Sequence, residues 1–250
     1  MIKHIPNTIT IFNLLSGTVA CLFALNGQYN HAFVMIILAA MFDFFDGMSA
    51  RLLKAYSPIG KELDSLADVI SFGLAPTFII YNFVSTAYTP QIIAAKVAGD
   101  NTYIYSIFIT LSFFLIACSA LRLAKFNVDE NQKENFIGLA TPSAALLLSS
   151  FAVTINTHEN LFDYFSSNAW IISIITVIIA LLLVSSIPMF SFKIKSLNWN
   201  ENKLKFSFVI FSLLIGIVLF IIGLFSFALW IFTIIISYII INIFIWLVKK

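Results

Sequence analysis

The chain has 250 residues, of which 60% are hydrophobic and 10% are charged, and its formal net charge is +2. Its mean hydropathy is +0.99. A water-soluble domain carries roughly 25% charged residues, so this composition excludes an ordinary soluble fold and predicts a protein of the lipid bilayer. The small net charge gives no reason to expect a nucleic-acid partner.

Apolar segments of about 20 residues, the length that crosses a bilayer as a helix, recur along the whole chain. They predict an all-α, polytopic membrane helix bundle of about eight transmembrane helices, near 8–26, 31–50, 66–86, 103–124, 140–156, 169–187, 206–224 and 227–247. Thirteen of the fourteen lysines and arginines fall on one side of this arrangement, and Lys96 falls on the other. Because positive residues are retained in the cytoplasm, both termini are predicted to be cytoplasmic.

Four of the seven aspartates lie within 26 residues. Asp43 and Asp46 share one helix face near the end of the second span, and Asp64 and Asp68 share one face at the start of the third. The Ser57-Pro58 pair between them is typical of a capped helix start. Two helices joined by so short a turn are antiparallel neighbours, so the two carboxylate pairs are expected to meet.

Carboxylates inside a membrane span are costly and therefore indicate a functional site. An all-oxygen cluster suits Mg²⁺ or Mn²⁺, and two such ions can hold a pyrophosphate during displacement at phosphorus. Arg51 could then face a phosphate oxygen. The same aspartates could instead form the ion path of a cation-coupled transporter, and the residue pattern leaves both interpretations open.

The stretch from Asp43 to Asp68 runs D-F-F-D-G-M-S-A-R, eight residues, then G-K-E-L-D-S-L-A-D. It resembles the signature D-x₂-D-G-x₂-A-R-x₈-G-x₃-D-x₃-D of the CDP-alcohol phosphatidyltransferase family, with all eight specified positions filled. The resemblance implies that Asp43, Asp46 and Asp64 bind metal, and that Asp68 is a further ligand or the general base. It also implies a CDP-lipid-binding set that comprises Asn7, Thr10, Asp43, Gly47, Ala50, Arg51 and Gly60.

Other segments are similar to the phosphatidylserine synthase subgroup, among them 13–17, 71–76 and 121–127, although Ala140 stands where that subgroup has proline. The resemblance suggests Arg122, Lys125 and Asn127 for binding the serine acceptor or a phosphate. Arg122 and Lys125 could equally be cationic anchors that snorkel to the membrane surface.

The resemblance thus implies a metal-dependent enzyme, using Mg²⁺ or Mn²⁺ at a two-metal site, that transfers the phosphatidyl group of CDP-diacylglycerol to the hydroxyl of L-serine and releases CMP. Glycerol phosphate or inositol phosphate remains an alternative acceptor. Residues 1–192 would form the family core of six transmembrane helices, and residues 193–250 a two-helix extension. A homodimer in the inner cell membrane, with its active site facing the cytoplasm, is expected.

Overall fold

The computed structural model describes residues 4–128, 136–190 and 199–248, which are helical apart from two short strands. The α-helices, in chain order, are α1 Ile5–Leu25, α2 Tyr29–Leu52, α3 Pro58–Asp68, α4 Ala75–Ala98, α5 Tyr103–Leu111, α6 Phe114–Val128, α7 Thr141–Thr157, α8 Glu159–Ser167, α9 Ala169–Val184, α10 Trp199–Ile221 and α11 Phe227–Val248. A π-helical segment, Val69–Leu74, joins α3 to α4. The strands are β1 Phe136–Ile137 and β2 Pro188–Met189.

Six helical runs in the described residues are long and apolar enough to cross a membrane, which confirms the predicted all-α membrane fold. A seventh span results if α8 and α9, which meet at 86°, count as one. The helix α7, another predicted span, has 17 residues. At 1.5 Å per residue it is roughly 25 Å long, less than the ~30 Å hydrocarbon core. The eight-span count and the cytoplasmic termini therefore stay predictions.

Part of the predicted arrangement lies outside the described residues. This applies to the boundary after residue 192 and to six of the lysines behind the orientation, namely Lys3, Lys133, Lys193, Lys195, Lys249 and Lys250.

The third span is longer than the predicted 66–86, because helical structure runs without a break from Pro58 to Ala98. Its start is the predicted one: the Ser57 hydroxyl accepts a hydrogen bond from the Gly60 amide at 3.0 Å, and Pro58 occupies the first turn. The π-helical segment follows Asp68 directly, and π-turns within helices occur often at functional sites. The two aspartates of this span, Asp64 and Asp68, lie in α3, which forms its first three turns and mixes polar with apolar residues.

Small residues hold the N-terminal helices together. Ala20 and Ala24 on α1 and Ala32 and Ala39 on α2 are fully buried, as expected where membrane helices approach closely. At Gly17 the approach is so close that an added Cβ would overlap Ser71 of the π-helical segment. This packing brings α1, α2 and α3 together at the end of the bundle that carries the aspartates.

Of the two C-terminal helices, α11 packs against α7, and α10 packs against α11. The rings of Phe151 on α7 and Phe232 on α11 stack at 5.2 Å, and Trp230 Nε1 of α11 donates to the Ser212 carbonyl of α10 at 2.9 Å. The strands β1 and β2 pair antiparallel beside the end of α9. Neither strand was predicted from the sequence.

Candidate active site

The two aspartate pairs, on α2 and α3, meet where both helices pack against α1. One carboxylate oxygen from each of Asp43, Asp64 and Asp68 lies within 4.8 Å of the others. Asp46 is outside this compact group, but it is only 6% exposed and faces the same region of the bundle. The sequence-based expectation that the pairs converge is therefore fulfilled for three of the four carboxylates.

The aspartates lie among few compensating groups. Asn13 of α1, which is fully buried, donates from Nδ2 to Asp68 Oδ1 at 3.3 Å. The carboxyl groups of Asp43 and Asp64 contact each other, and the Thr10 hydroxyl lies beside Asp46. One oxygen each of Asp46 and Asp64 is buried without a hydrogen-bond partner in the described chain. Carboxylates this close need a shared proton or a cation between them.

The donor set fits a hard divalent cation. The converging side chains offer carboxylate oxygens alone, which is the ligand type that Mg²⁺ and Mn²⁺ prefer. The buried, unpartnered oxygens of Asp46 and Asp64 are the acceptors that such an ion would satisfy. The cluster is therefore suited to hold a hard divalent cation.

A cavity of about 450 Å³ opens beside the carboxylates, between α1, α2 and α3, and we name it the aspartate cavity. Six of the seven residues predicted to bind the CDP-lipid line it: Asn7, Thr10, Gly47, Ala50, Arg51 and Gly60. The seventh, Asp43, is about one helical turn further along α2, within the carboxylate group. Asp46 and Asp64 also face this cavity, so it is continuous with the candidate metal site.

Two glycines shape the aspartate cavity in different ways. A Cβ added at Gly60 would lie 2.9 Å from Asn7 Oδ1 and 2.9 Å from Ser57 Oγ, so this glycine permits the close approach of α3 to α1. A Cβ added at Gly47 would meet no atom of the described chain within 4 Å. The missing side chain at Gly47 therefore leaves open space in the cavity rather than room for packing.

Sequence reasoning did not assign six of the residues that line the aspartate cavity to the site: Pro6, Ala55, Tyr56, Ser57, Lys61 and Phe126. A signal was available for Lys61, which stands three residues before Asp64 and seven before Asp68 on the same helix face. Its Nζ donates to the Asn127 carbonyl of α6 at 2.9 Å. Phe126 also comes from α6, and no spacing within the signature points to it.

A second cavity of about 600 Å³, which we name the arginine cavity, lies between the last turns of α6, the strand β1 and the end of α9. It is lined by Arg122, Ala124, Lys125, Val128, Ile137, Leu183, Val184, Ser185 and Ser186. Two of the three predicted acceptor-binding residues, Arg122 and Lys125, are thus in its wall. The third, Asn127, is elsewhere: its Nδ2 donates to Ser65 Oγ on α3 at 2.7 Å.

Arg122 has the features of an anion-binding group. It is 7% exposed, and its Nε is buried with no hydrogen-bond partner in the described chain. It forms no ion pair there, but Asp68 is close enough for a Coulomb interaction. Its guanidinium carbon lies 6.0 Å from the centre of the Phe126 ring. Since Phe126 lines the aspartate cavity and Arg122 lines the arginine cavity, the end of α6 forms part of the wall of both.

Comparisons with known proteins identify the family of the chain. The sequence profile of the CDP-alcohol phosphatidyltransferase family matches residues 3–185. A CDP-diacylglycerol–serine O-phosphatidyltransferase from Bacillus subtilis is 38% identical over 62% of this chain and 78% of its own length. An archaetidylserine synthase from Methanothermobacter thermautotrophicus is 36% identical over 60% of this chain and 58% of its own length. A CDP-diacylglycerol–serine O-phosphatidyltransferase from Methanocaldococcus jannaschii is 31% identical over 73% and 72%. The chain belongs to the CDP-alcohol phosphatidyltransferase family.

Proposed function

We propose that this protein transfers the phosphatidyl group of CDP-diacylglycerol to the hydroxyl of L-serine and releases CMP. One observation carries the proposal: the Asp43, Asp64 and Asp68 carboxylates converge beside a cavity that suits a nucleotide lipid, and a buried arginine lines a second cavity. Support for serine as the acceptor comes from relatives whose names contain it, in both bacteria and archaea.

The aspartate cavity would hold the CDP part of the lipid. Its wall combines the open space at Gly47, the amide of Asn7 and the positive side chains of Arg51 and Lys61. Guanidinium and ammonium groups bind phosphate oxygens by charge-assisted hydrogen bonds. We propose that these two cations orient the pyrophosphate and that Asn7, Thr10, Ala50 and Gly60 surround the nucleotide.

Asp68 is the proposed general base. The serine oxygen would attack the phosphorus of the phosphatidyl group, a new P–O bond would form, and the P–O bond to CMP would break. The proton of the serine hydroxyl would pass to a carboxylate oxygen of Asp68. The hydrogen bond from the buried Asn13 fixes the orientation of that carboxylate.

Asp43, Asp46, Asp64 and Asp68 would hold Mg²⁺ or Mn²⁺ at a two-metal site. Metal bound there would neutralise the pyrophosphate and stabilise the departing CMP. The four carboxylates project from two helices, so the protein would fix the positions of the metal ligands before the substrate arrives.

The arginine cavity would hold serine. The buried Arg122 guanidinium suits the serine carboxylate, because a planar donor pair matches a carboxylate in bidentate geometry. Lys125 adds positive charge in the same wall. The proximity of Arg122 to Asp68 supports this assignment, because a serine bound by its carboxylate would have its hydroxyl near the proposed base.

The remaining sequence-based expectations are part of the proposal. We propose that the enzyme is a homodimer of the inner cell membrane, with the aspartate cluster facing the cytoplasm and lipid entering sideways from the bilayer. Residues 1–192 would form the catalytic core and residues 193–250 the two-helix extension.

The test is CMP release by purified protein in detergent, with CDP-diacylglycerol, Mg²⁺ or Mn²⁺, and serine, glycerol phosphate or inositol phosphate as acceptor. We expect serine to drive CMP release. A clear preference for another acceptor would refute the serine assignment and keep the family reaction. Ion flux across sealed vesicles without CMP release from any acceptor would instead favour the cation-coupled transporter.

A further inference from the structure

The helix α11 forms hydrogen bonds with both the amide and the carbonyl of Phe190, the residue that follows β2. The Phe190 amide donates to Asn242 Oδ1 at 2.8 Å, and the Tyr238 hydroxyl donates to the Phe190 carbonyl at 2.8 Å. Tyr238 and Asn242 stand four residues apart on α11, so they share one face of that helix. The hydrogen bonds of this face to Phe190 are both with backbone groups.

The residues around Asn242 and Tyr238 support the contact with Phe190. Asn242 is 2% exposed, and its Nδ2 donates to the Tyr238 carbonyl at 2.7 Å, so both ends of its amide are satisfied. The ring of Tyr238 packs edge-on against Phe190 at 4.9 Å and against Phe208 of α10 at 6.0 Å. A buried carboxamide in a membrane helix is costly unless it is paired, which here happens at Phe190.

The bound segment leads directly to the wall of the arginine cavity. Ser185 and Ser186, in that wall, lie between the end of α9 and the anchor at Phe190. The other edge of the segment 185–190 is held by two contacts. Gly138 N donates to the Ile187 carbonyl at 2.9 Å, and β1 pairs with β2 over two residues. A ladder of two residues is marginal alone, so the contact with α11 adds a second fixed point.

Tyr238 also lies close to the other wall of that cavity. Its phenol group is near enough to the Arg122 guanidinium for an electrostatic interaction. The same side chain thus contacts the segment that carries Ser185 and Ser186 and interacts electrostatically with Arg122.

We propose that Tyr238 and Asn242 are positioning residues that set the geometry of the acceptor cavity. They fix the segment 185–190 relative to Arg122 and so set the width of the space that receives the acceptor. The inference rests on the proposed function for the identity of that acceptor. It assigns a task to the last two helices, which lie beyond the family match at residues 3–185.

The inference can be tested because α11 has other contacts that keep it in place. Its packing on α7 through Phe232 and on α10 through Trp230 does not involve the polar pair. Tyr238→Phe removes one hydrogen bond and keeps the ring, and Asn242→Leu replaces the amide by an apolar group of similar size. Ser237→Ala is the matched control, because the Ser237 hydroxyl donates within α11, to the Thr233 carbonyl.

Kinetic constants for both substrates, thermal unfolding and hydrogen exchange of the 185–190 backbone would be measured for the four proteins. We expect each polar variant to raise the KM for serine roughly two- to tenfold, the range that loss of one neutral hydrogen bond produces. The KM for CDP-diacylglycerol and the unfolding temperature should match those of the wild type and of Ser237→Ala. Exchange at Phe190 should accelerate in Asn242→Leu.

If the wild type uses serine and both variants keep its KM for serine, the inference is overturned and the proposed function stays intact. Parallel increases in both KM values with a lower unfolding temperature would also overturn it, because they indicate a structural role alone. If the wild type shows no serine-dependent CMP release, the proposed function itself fails, and the assignment to a serine cavity fails with it.

Discussion

The substitution Gly47→Ala should remove activity without harming the fold. Gly47 lies inside α2, where alanine favours the helix by about 1 kcal/mol over glycine. The new methyl group would meet no atom of the described chain within 4 Å, so no packing cost opposes that gain. The methyl group would instead occupy the aspartate cavity, next to Asp46.

The same substitution at Gly17 should have the opposite effect. A methyl group there would overlap the side chain and Cα of Ser71, which is fully buried and donates to the Asn13 carbonyl at 3.0 Å. Overpacking at such a site costs about 1–3 kcal/mol, and loss of the hydrogen bond adds about 1 kcal/mol. The two alanine variants therefore form a matched pair.

The assay is CMP release with varied CDP-diacylglycerol, alongside thermal unfolding in detergent. Displacement of a reacting group by about 1 Å can lower the rate about 10²-fold, so we expect kcat/KM of Gly47→Ala to fall by roughly that factor. Its unfolding temperature should equal or exceed that of the wild type, whereas Gly17→Ala should unfold earlier. Wild-type kcat/KM in Gly47→Ala would refute the placement of the CDP-lipid in the aspartate cavity.

Four further predictions follow from the site. Asp68→Asn keeps the shape of the side chain and should lower kcat by roughly 10²–10⁴-fold, as expected for loss of a general base, with an unchanged unfolding temperature as the check on folding. Arg122→Gln should raise the KM for serine roughly tenfold or more, since hydrogen bonds to charged groups are the stronger ones; an equal rise in the KM for CDP-diacylglycerol would contradict the serine assignment. Lys61→Met should raise the KM for CDP-diacylglycerol, whereas Lys54→Met, which is exposed outside the cavity, should not. Removal of divalent cations by a chelator should abolish CMP release, and Mg²⁺ or Mn²⁺ should restore it; activity that persists in the chelator would rule out the metal site.

The sequence predicted the aspartate cluster because its cause is local. Helical periodicity places Asp43 with Asp46 and Asp64 with Asp68, and the Ser57-Pro58 cap makes their two helices neighbours. Spacing therefore determines which side chains share a face, and the packing of both helices on α1 brings the two faces together. The same logic would have found Lys61, which shares the face of Asp64.

The sequence could not predict contacts between distant segments. Phe126 lines the aspartate cavity, and Asn127 binds Ser65, because the last turn of α6 lies beside α3. That position depends on the packing of the whole bundle. The strand pair β1–β2 is too short to give a periodic signal. The length of the third span was hidden by its first turns, where Lys61, Asp64 and Asp68 lower the hydropathy of residues that are nevertheless helical.

The wall formed by the end of α6 has a kinetic consequence. If the liponucleotide binds in the aspartate cavity and serine in the arginine cavity, as proposed, the two do not share one opening, and either could enter while the other is bound. Initial velocities should therefore give intersecting rather than parallel reciprocal plots, as in a ternary-complex mechanism. CMP, which would leave through the aspartate cavity, should compete with the liponucleotide and not with serine.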